Sequence, residues 1–220
     1  MGAPGYPVTL NVETMPCLIV GGGPVAARKA AELAACGALV TVVSPVLCPA
    51  MERLAAASKV RVERRQVGPE DVAGAFIVIA ATDDAEVNRW VADLARRERA
   101  LVNAVDQPEQ CVFSAPAVLR RGVMSVAIST GGASPALAAR IRDELEEIIG
   151  PEWGVIMQCL AAWRSRLRAR YPDDAGARRR LMLEVSTMDV ASLVRSQGRG
   201  GLEARLDALL APGDPVRGGS

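Results

Sequence analysis

Pro16-Cys-Leu-Ile-Val-Gly-Gly-Gly-Pro-Val-Ala26 is the stretch that decides the fold of this chain. Its first five residues form an apolar run stopped by glycines, which predicts a short strand buried on both faces. From residue 24 to 36 the spacing is helical. Val25, Lys29, Leu33 and Cys36 share one face, and Gly37 stands where a helix-ending glycine belongs. Gly21-x-Gly23-x-x-Ala26 therefore joins a strand to a helix. Gly21 permits the tight turn, Gly23 lets a ligand approach the backbone, and Ala26 lets the helix pack close to the strand. In that context the spacing points to a dinucleotide whose pyrophosphate rests on free N–H groups at the helix start. Pro24 has no N–H, so the contact falls to Val25 or Ala26. A turn with no ligand is the alternative.

The same rhythm continues outward. Leu39 to Val43 is β-branched and apolar, a second strand that stops at Ser44-Pro45. A helix is predicted over 49–57, and a third strand over 60–66 with Val60 and Val62 inward. A fully apolar fourth strand covers 76–80. Residues 84–98 read as an amphipathic helix with Val87, Trp90, Val91 and Leu94 as its stripe. Leu101 to Val105 is a fifth strand. Strands alternating with helices call for an α/β fold, a Rossmann-type parallel sheet with right-handed crossovers.

After Asp106 the rhythm changes. Two more strands are predicted, 111–118 and 123–129, around Arg120-Arg121-Gly122. A helix runs from Pro135 to about Ile149, Gly150-Pro151 breaks it, and helices follow over 152–170, 175–187 and 202–210. The Gly- and Pro-rich stretch 211–220 reads as a disordered tail.

Bulk properties exclude several functions. The chain has 220 residues with a net charge of +1, so no global field steers it to nucleic acid or to an acidic membrane. Aromatic residues make up 3%, too few for base-stacking platforms. No signal peptide is visible and no apolar run reaches the roughly 20 residues of a membrane helix, so a cytoplasmic protein is expected. Five scattered cysteines without a CxxC pair suit free thiols in a reducing compartment. There is no histidine, which removes Ser-His-Asp triads and imidazole shuttles and leaves proton transfer to Asp, Glu, Lys, Tyr or Cys.

Candidate site residues cluster at predicted strand ends. An acid usually ends the second strand and binds a ribose 2′-hydroxyl; here Ser44 and Pro45 stand there, so the pattern leaves NAD against NADP open. Ala81-Thr82-Asp83-Asp84 follows the fourth strand. Thr82 can contact the adenosine half, and Thr82 or Asp83 can equally be a helix cap. Asp106, after the fifth strand, is the best acid–base candidate in a chain without histidine, and a turn aspartate before Pro108 fits as well. Ser129-Thr-Gly-Gly-Ala-Ser-Pro135 combines a helix start, Ser134 as N-cap and Pro135 at the first helical position, with a loop offering donors to an anion. Seven arginines and two acids lie within 164–180. They form either a solvated helix face or a cationic wall for a polycarboxylate.

Taken together, Cys17-Leu-Ile-Val-Gly-Gly-Gly-Pro-Val-Ala-Ala-Arg-Lys29, Gly37-Ala-Leu-Val-Thr-Val-Val-Ser-Pro45, Ala80-Ala-Thr-Asp-Asp84, Asn103-Ala-Val-Asp106, Ser129-Thr-Gly-Gly-Ala-Ser-Pro135 and Arg178-Arg-Arg180 resemble the precorrin-2 dehydrogenases, including the N-terminal module of siroheme synthases. The resemblance spans about residues 6 to 190. It implies NAD-dependent oxidation of precorrin-2 to sirohydrochlorin, on the way to siroheme or cobalamin. It also implies a homodimer with an NAD-binding domain (1–112), a dimerisation segment (113–150) and a helical C-terminal domain (151–210). NAD would be held by Gly21, Gly22, Gly23, Pro24, Val25, Ser44, Pro45, Ala81 and Thr82. Asp106 maps to the family's catalytic aspartate. Asn103, Thr130, Gly131, Gly132 and Ser134 would meet the substrate, and no protein metal site is expected. Thr130 stands where the family has serine, which puts any serine-specific role in doubt. Some members also insert Fe²⁺, so a bifunctional dehydrogenase and chelatase acting on Fe²⁺ or Co²⁺ is the runner-up. A non-catalytic NAD-binding regulatory module is the third reading. Ser44 argues against it, because such modules usually keep the acid.

Overall fold

A computed structural model of the chain describes residues 5–211. The expected tail at 211–220 lies, apart from Ala211, outside the described residues. The chain divides into two units, Met1–Ala115 and Pro116–Ser220.

The first unit is an open parallel sheet in the order β3-β2-β1-β4-β5, built from β1 (Pro16–Val20), β2 (Leu39–Val43), β3 (Arg61–Glu63), β4 (Ile77–Ala80) and β5 (Leu101–Ala104). Between them come α1 (Pro24–Ala35), α2 (Pro49–Ala56), α3 (Pro69–Val72) and α4 (Ala85–Arg97). β1 is central because it is apolar on both faces. Cys17 and Ile19 join Val40, Val42, Ile77 and Ile79 under α1 and α2. Leu18 and Val20 join Val78, Ala80, Val102 and Ala104 under α4. The two-residue period of the strands thus splits one apolar run between two cores.

The helices turn differently from the periodicity. α1 buries Ala26, Ala27 and Ala30, while Val25 stays 40% exposed. A helix that starts directly from the strand end must lie close to the sheet, and alanines allow that approach where larger side chains do not. α4 buries Asn88, Val91, Ala92 and Ala95, with Val87 and Leu94 packed against the same core, so of the expected stripe only Trp90 is left at the surface. The cap of α4 is Asp84, which accepts from Glu86 N at 2.9 Å, rather than Thr82 or Asp83. β3 is shorter than 60–66, and α3 is an element that the pattern of residues does not predict.

The second unit begins with an antiparallel hairpin, β6 (Ala117–Arg121) and β7 (Met124–Ile128), turned at Gly122-Val123. The first strand therefore lies later than 111–118, which holds mostly irregular chain after a short 3₁₀ turn at 108–110. Arg121 belongs to the strand by pairing with Met124, and its Nε donates to Ile149 O at 2.8 Å, at the end of α5 (Pro135–Ile148). α6 (Glu152–Arg170), α7 (Ala175–Ser186) and α8 (Val190–Leu210) pack around Ile156, Cys159, Trp163, Leu167, Leu202 and Leu206. Trp163 satisfies its buried N–H on Leu206 O at 2.8 Å, tying α6 to α8. α8 is far longer than 202–210. Its first half is hidden from a propensity reading by glycines around a kink at Gly198. The five cysteines are free, with Cys17 and Cys159 buried. Among the described residues no helix is long and apolar enough to cross a membrane.

Asp71 holds the edge of the first unit. It takes both guanidinium nitrogens of Arg65, at 2.6 and 2.7 Å, and Gly68 N at 2.7 Å. The Arg65 bonds hold its carboxyl below the usual carboxylate range. A depressed native pKa gives stability that is full above the unfolded value, about 3.9, and fades as pH falls through the native value. Asp71→Asn is therefore expected to cost about 1–2 kcal/mol at pH 7 in urea unfolding. The difference from the unaltered chain should shrink as the buffer is taken below about pH 4.

Candidate functional site: a glycine turn at the C-terminal sheet edge

The turn after β1 is locked to both neighbouring strands. Gly21 N donates to Val43 O at 3.0 Å, Cys48 N to Gly22 O at 2.8 Å and Ala81 N to Val20 O at 2.8 Å. Gly21 has φ +118, and a Cβ there would fall on the carbonyl of Ala81. A Cβ on Gly22 would run into the carbonyl of Val46 and lie 2.8 Å from Ser44 Oγ. Gly23 differs. Its φ is −75, and a Cβ would meet nothing within 4 Å. The turn is thus closed on the protein side at Gly21 and Gly22 and open on the other side at Gly23.

α1 starts at this open side. Gly23 is its N-cap and no acidic residue occupies its first turn. Ala27 N already donates to Gly23 O and Pro24 has no N–H, so Val25 and Ala26 carry the free donors. An uncompensated helix N-terminus with two N–H groups beside an unobstructed glycine fits the pyrophosphate of a dinucleotide.

Ser44 is buried and donates its hydroxyl proton to Val46 O at 2.8 Å. Its lone pairs stay available to accept from a ribose hydroxyl, without the charge of a carboxylate. Pro45 is exposed beside it. Thr82, beyond β4, is turned inward. Its Oγ donates to Asn88 Oδ1 at 2.8 Å, and Asn88 Nδ2 returns a bond to Thr82 O at 2.9 Å. Asn88, 3% exposed, is the residue that sequence reasoning missed. The available signal is a polar side chain three positions before Val91 on the buried face of α4.

Asp106 follows β5 on the same sheet edge, where Ala104 pairs with Ala80 of β4. It is exposed, with φ +60, a conformation aspartate tolerates at a cost of about 1 kcal/mol. Behind it, Gln107 donates to Ala85 O at 2.8 Å. Asn103 spends its amide N–H on Phe113 O at 2.9 Å, and Cys111 bonds to the backbone of Ala104. Asn103 therefore braces this loop instead of offering that donor outward.

The remaining candidates belong to the second unit. Ser134 accepts from Leu137 N at 3.2 Å as the N-cap of α5, and Thr130 Oγ accepts from Ser134 N at 3.1 Å. Both hydroxyls act as acceptors toward the protein, which leaves their protons free. Gly131 and Gly132 form the left-handed turn between them. Among the described residues no cluster of three or more His, Cys, Asp or Glu side chains is arranged to hold a metal ion.

Two substitutions separate the closed and open sides of the turn. Gly22→Ala is expected to lower the melting temperature by about 4 °C or more, since Val46 must move to admit the methyl group. Gly23→Asp should leave the melting temperature within about 2 °C, yet weaken NAD⁺ binding at least about 100-fold in calorimetric titration, by bulk and charge. Retained affinity would put the phosphate site elsewhere.

Comparison with known proteins agrees with this geometry. An NAD(P)-binding family model matches residues 8–117, and the model of the sirohaem biosynthesis protein central domain matches 121–148. The siroheme synthase of Thioalkalivibrio sulfidiphilus is 41% identical over 174 residues, covering 79% of this chain and 36% of that protein. The siroheme synthase of Chromobacterium violaceum is 36% identical over 215 residues, covering 98% of this chain and 46% of that protein. The chain thus spans between a third and a half of the length of these curated relatives. The solved structure of SirC, a precorrin-2 dehydrogenase, superposes with a TM-score of 0.74 at 30% identity, covering 93% of this chain and all of that one. The chain belongs to the precorrin-2 dehydrogenase family of siroheme biosynthesis, with an NAD(P)-binding domain as its first unit.

Proposed function

We propose that this chain oxidises precorrin-2 to sirohydrochlorin with NAD⁺. The observation that carries the reading is coverage of the whole length of a precorrin-2 dehydrogenase by a chain that keeps the open glycine turn. Val25 and Ala26 N–H groups would hold the pyrophosphate, with Gly21, Gly22, Gly23 and Pro24 shaping the cradle. Ser44 and Pro45 would border the ribose, and Ala81 and Thr82 would flank it. NAD⁺, when bound, supplies the hydride acceptor.

The oxidation removes a hydride and a proton from the macrocycle, and a base on the chain would speed the loss of the proton. Asp106 is proposed for that role. An exposed carboxylate with no ion-pair partner among the described residues supports it. Asn103, bonded to Phe113 O, would act by holding the Asp106 loop in place. Thr130 and Ser134, with free hydroxyl protons, and the N–H groups of Gly131 and Gly132 would donate to substrate carboxylates. We also propose that residues 113–150 form the contact of a homodimer. Exposed Val123 and Ile148 and half-exposed Leu137 on this segment support that assignment.

The test is anaerobic conversion of precorrin-2 with NAD⁺, followed by absorbance. Sirohydrochlorin is expected, and its absence would overturn the proposed reaction. Asp106→Asn should lower kcat by about 10²–10⁴-fold while NAD⁺ affinity stays within about twofold. Equal loss of both would make Asp106 structural. A second stage with Fe²⁺ or Co²⁺ decides whether these ions are further substrates: insertion faster than in a protein-free control would make the chain bifunctional.

A further inference from the structure

A cavity of about 480 Å³ lies in the second unit, between the C-terminal half of α6 and the N-terminal half of α7. Arg164 and Arg168 line it from α6, and Arg178 and Arg179 from α7, over Leu167, Pro172 and Met182. The grouping follows from the sequence. Arg164 and Arg168 are one helical turn apart and so share a face, and the loop at Tyr171–Asp174 folds α7 back against it. Arg178 has a structural role. It donates to the carbonyls of Tyr171 and Pro172 and fixes that loop. Arg164, Arg168 and Arg179 have none: they are exposed, and no carboxylate lies within salt-bridge distance of them among the described residues. Their neighbours behave otherwise. Arg166 pairs with Asp207 and Arg170 lies over the ring of Tyr171. The nearby carboxylate of Asp174 is committed to capping α7, accepting from Ala177 N at 2.7 Å.

Several guanidinium groups brought to one concavity with no carboxylate in salt-bridge contact repel one another. Such an arrangement is suited to a ligand that brings several negative charges at once. The volume falls in the range of small-molecule sites, about 300–1,000 Å³. The apolar floor of Leu167 and Met182 suits carbon beneath a cationic rim. We propose that this cavity is a carboxylate-binding site that takes the acidic side arms of the tetrapyrrole, an assignment that rests on the substrate class proposed above. Six of the seven arginines at 164–180 then fall into three groups, and Arg180 lies outside the cavity lining. Arg166 and Arg170 hold the fold, Arg178 shapes the rim, and Arg164, Arg168 and Arg179 face the ligand.

The experiment uses uroporphyrin III, a stable octacarboxylate tetrapyrrole, with binding followed by its emission in the unaltered chain and in an Arg168→Ala/Arg179→Ala variant. The dissociation constant is expected to rise about tenfold or more in the variant. It should recover in large part in Arg168→Lys/Arg179→Lys, and NAD⁺ affinity should not change. Citrate is titrated in parallel as a free polycarboxylate, and it is expected to compete for the unaltered chain and to lose affinity in the same variant. Unchanged uroporphyrin affinity in the alanine variant overturns the proposal. If citrate affinity alone falls, the cavity serves small free polycarboxylates and the tetrapyrrole assignment is likewise overturned. The readout is binding, so failure of precorrin-2 turnover in the unaltered chain would refute the reaction and leave this test readable.

Discussion

Backbone meets backbone at the end of β1 with no room for a side chain, and much of the first unit follows from that contact. The carbonyl of Ala81 occupies the space of a Cβ on Gly21, and the carbonyl of Val46 that of a Cβ on Gly22. Hydrogen bonds from Gly21 N to Val43 O and from Cys48 N to Gly22 O fasten the same three segments. The approach is possible only if β1 lies between β2 and β4, which is the observed order. It also requires α1 to leave the sheet edge at once, and the buried face of Ala26, Ala27 and Ala30 meets that demand. The loops that would border a dinucleotide are therefore positioned by the fold before any ligand arrives, which lowers the ordering cost of binding.

The parts of the fold that are legible in the sequence are those with one dominant physical cause. β1, β2, β4 and β5 are apolar runs ended by turn residues, and their positions follow to within a residue. The start of α5 is equally plain, because Ser134 and Pro135 each have a single strong preference there. Where two causes compete, periodicity misleads. On α4, Trp90 is the larger apolar residue, yet Ala92 and Ala95 are buried because the helix must pack closely on the sheet and small side chains permit it. Gly198, Gly200 and Gly201 hide the first half of α8, a helix that packs on α6. Arg121 reads as a turn residue, yet it pairs with Met124 as the last residue of its strand, and its side chain donates to the carbonyl of Ile149.

Within the site, the residue types are legible and their partners are not. Gly22 is an unconstrained position in the fingerprint, yet it carries as tight a steric demand as Gly21, from a loop more than twenty residues away in the chain. Asn103 and Thr82 are candidates for ligand contact by position, but both spend donors on the protein, on Phe113 O and on Asn88 Oδ1. These bonds cross between elements, so no local spacing announces them. They show that part of the polar character at a sheet edge goes to holding loops still, which in turn keeps the groups that stay free in place.

Those free groups divide by charge in a way that suits two different anions. At the glycine turn the donors are neutral, the backbone N–H groups of Val25 and Ala26 and the dipole of α1, and the ribose position has a serine instead of an acid. Neutral donors bind a pyrophosphate by direction and leave little charge behind when it departs. In the second unit the free groups are guanidinium cations, matched to a ligand with many carboxylates. A net charge of +1 provides almost no long-range attraction, so a local concentration of arginine is what would draw an acidic macrocycle electrostatically. Asp106 is an exposed negative group, and in the role proposed for it the carboxylate would weaken the binding of an acidic substrate. Repulsion of that kind is tolerable where the same carboxylate takes up a proton during the reaction, since protonation removes its own charge at the point of chemistry.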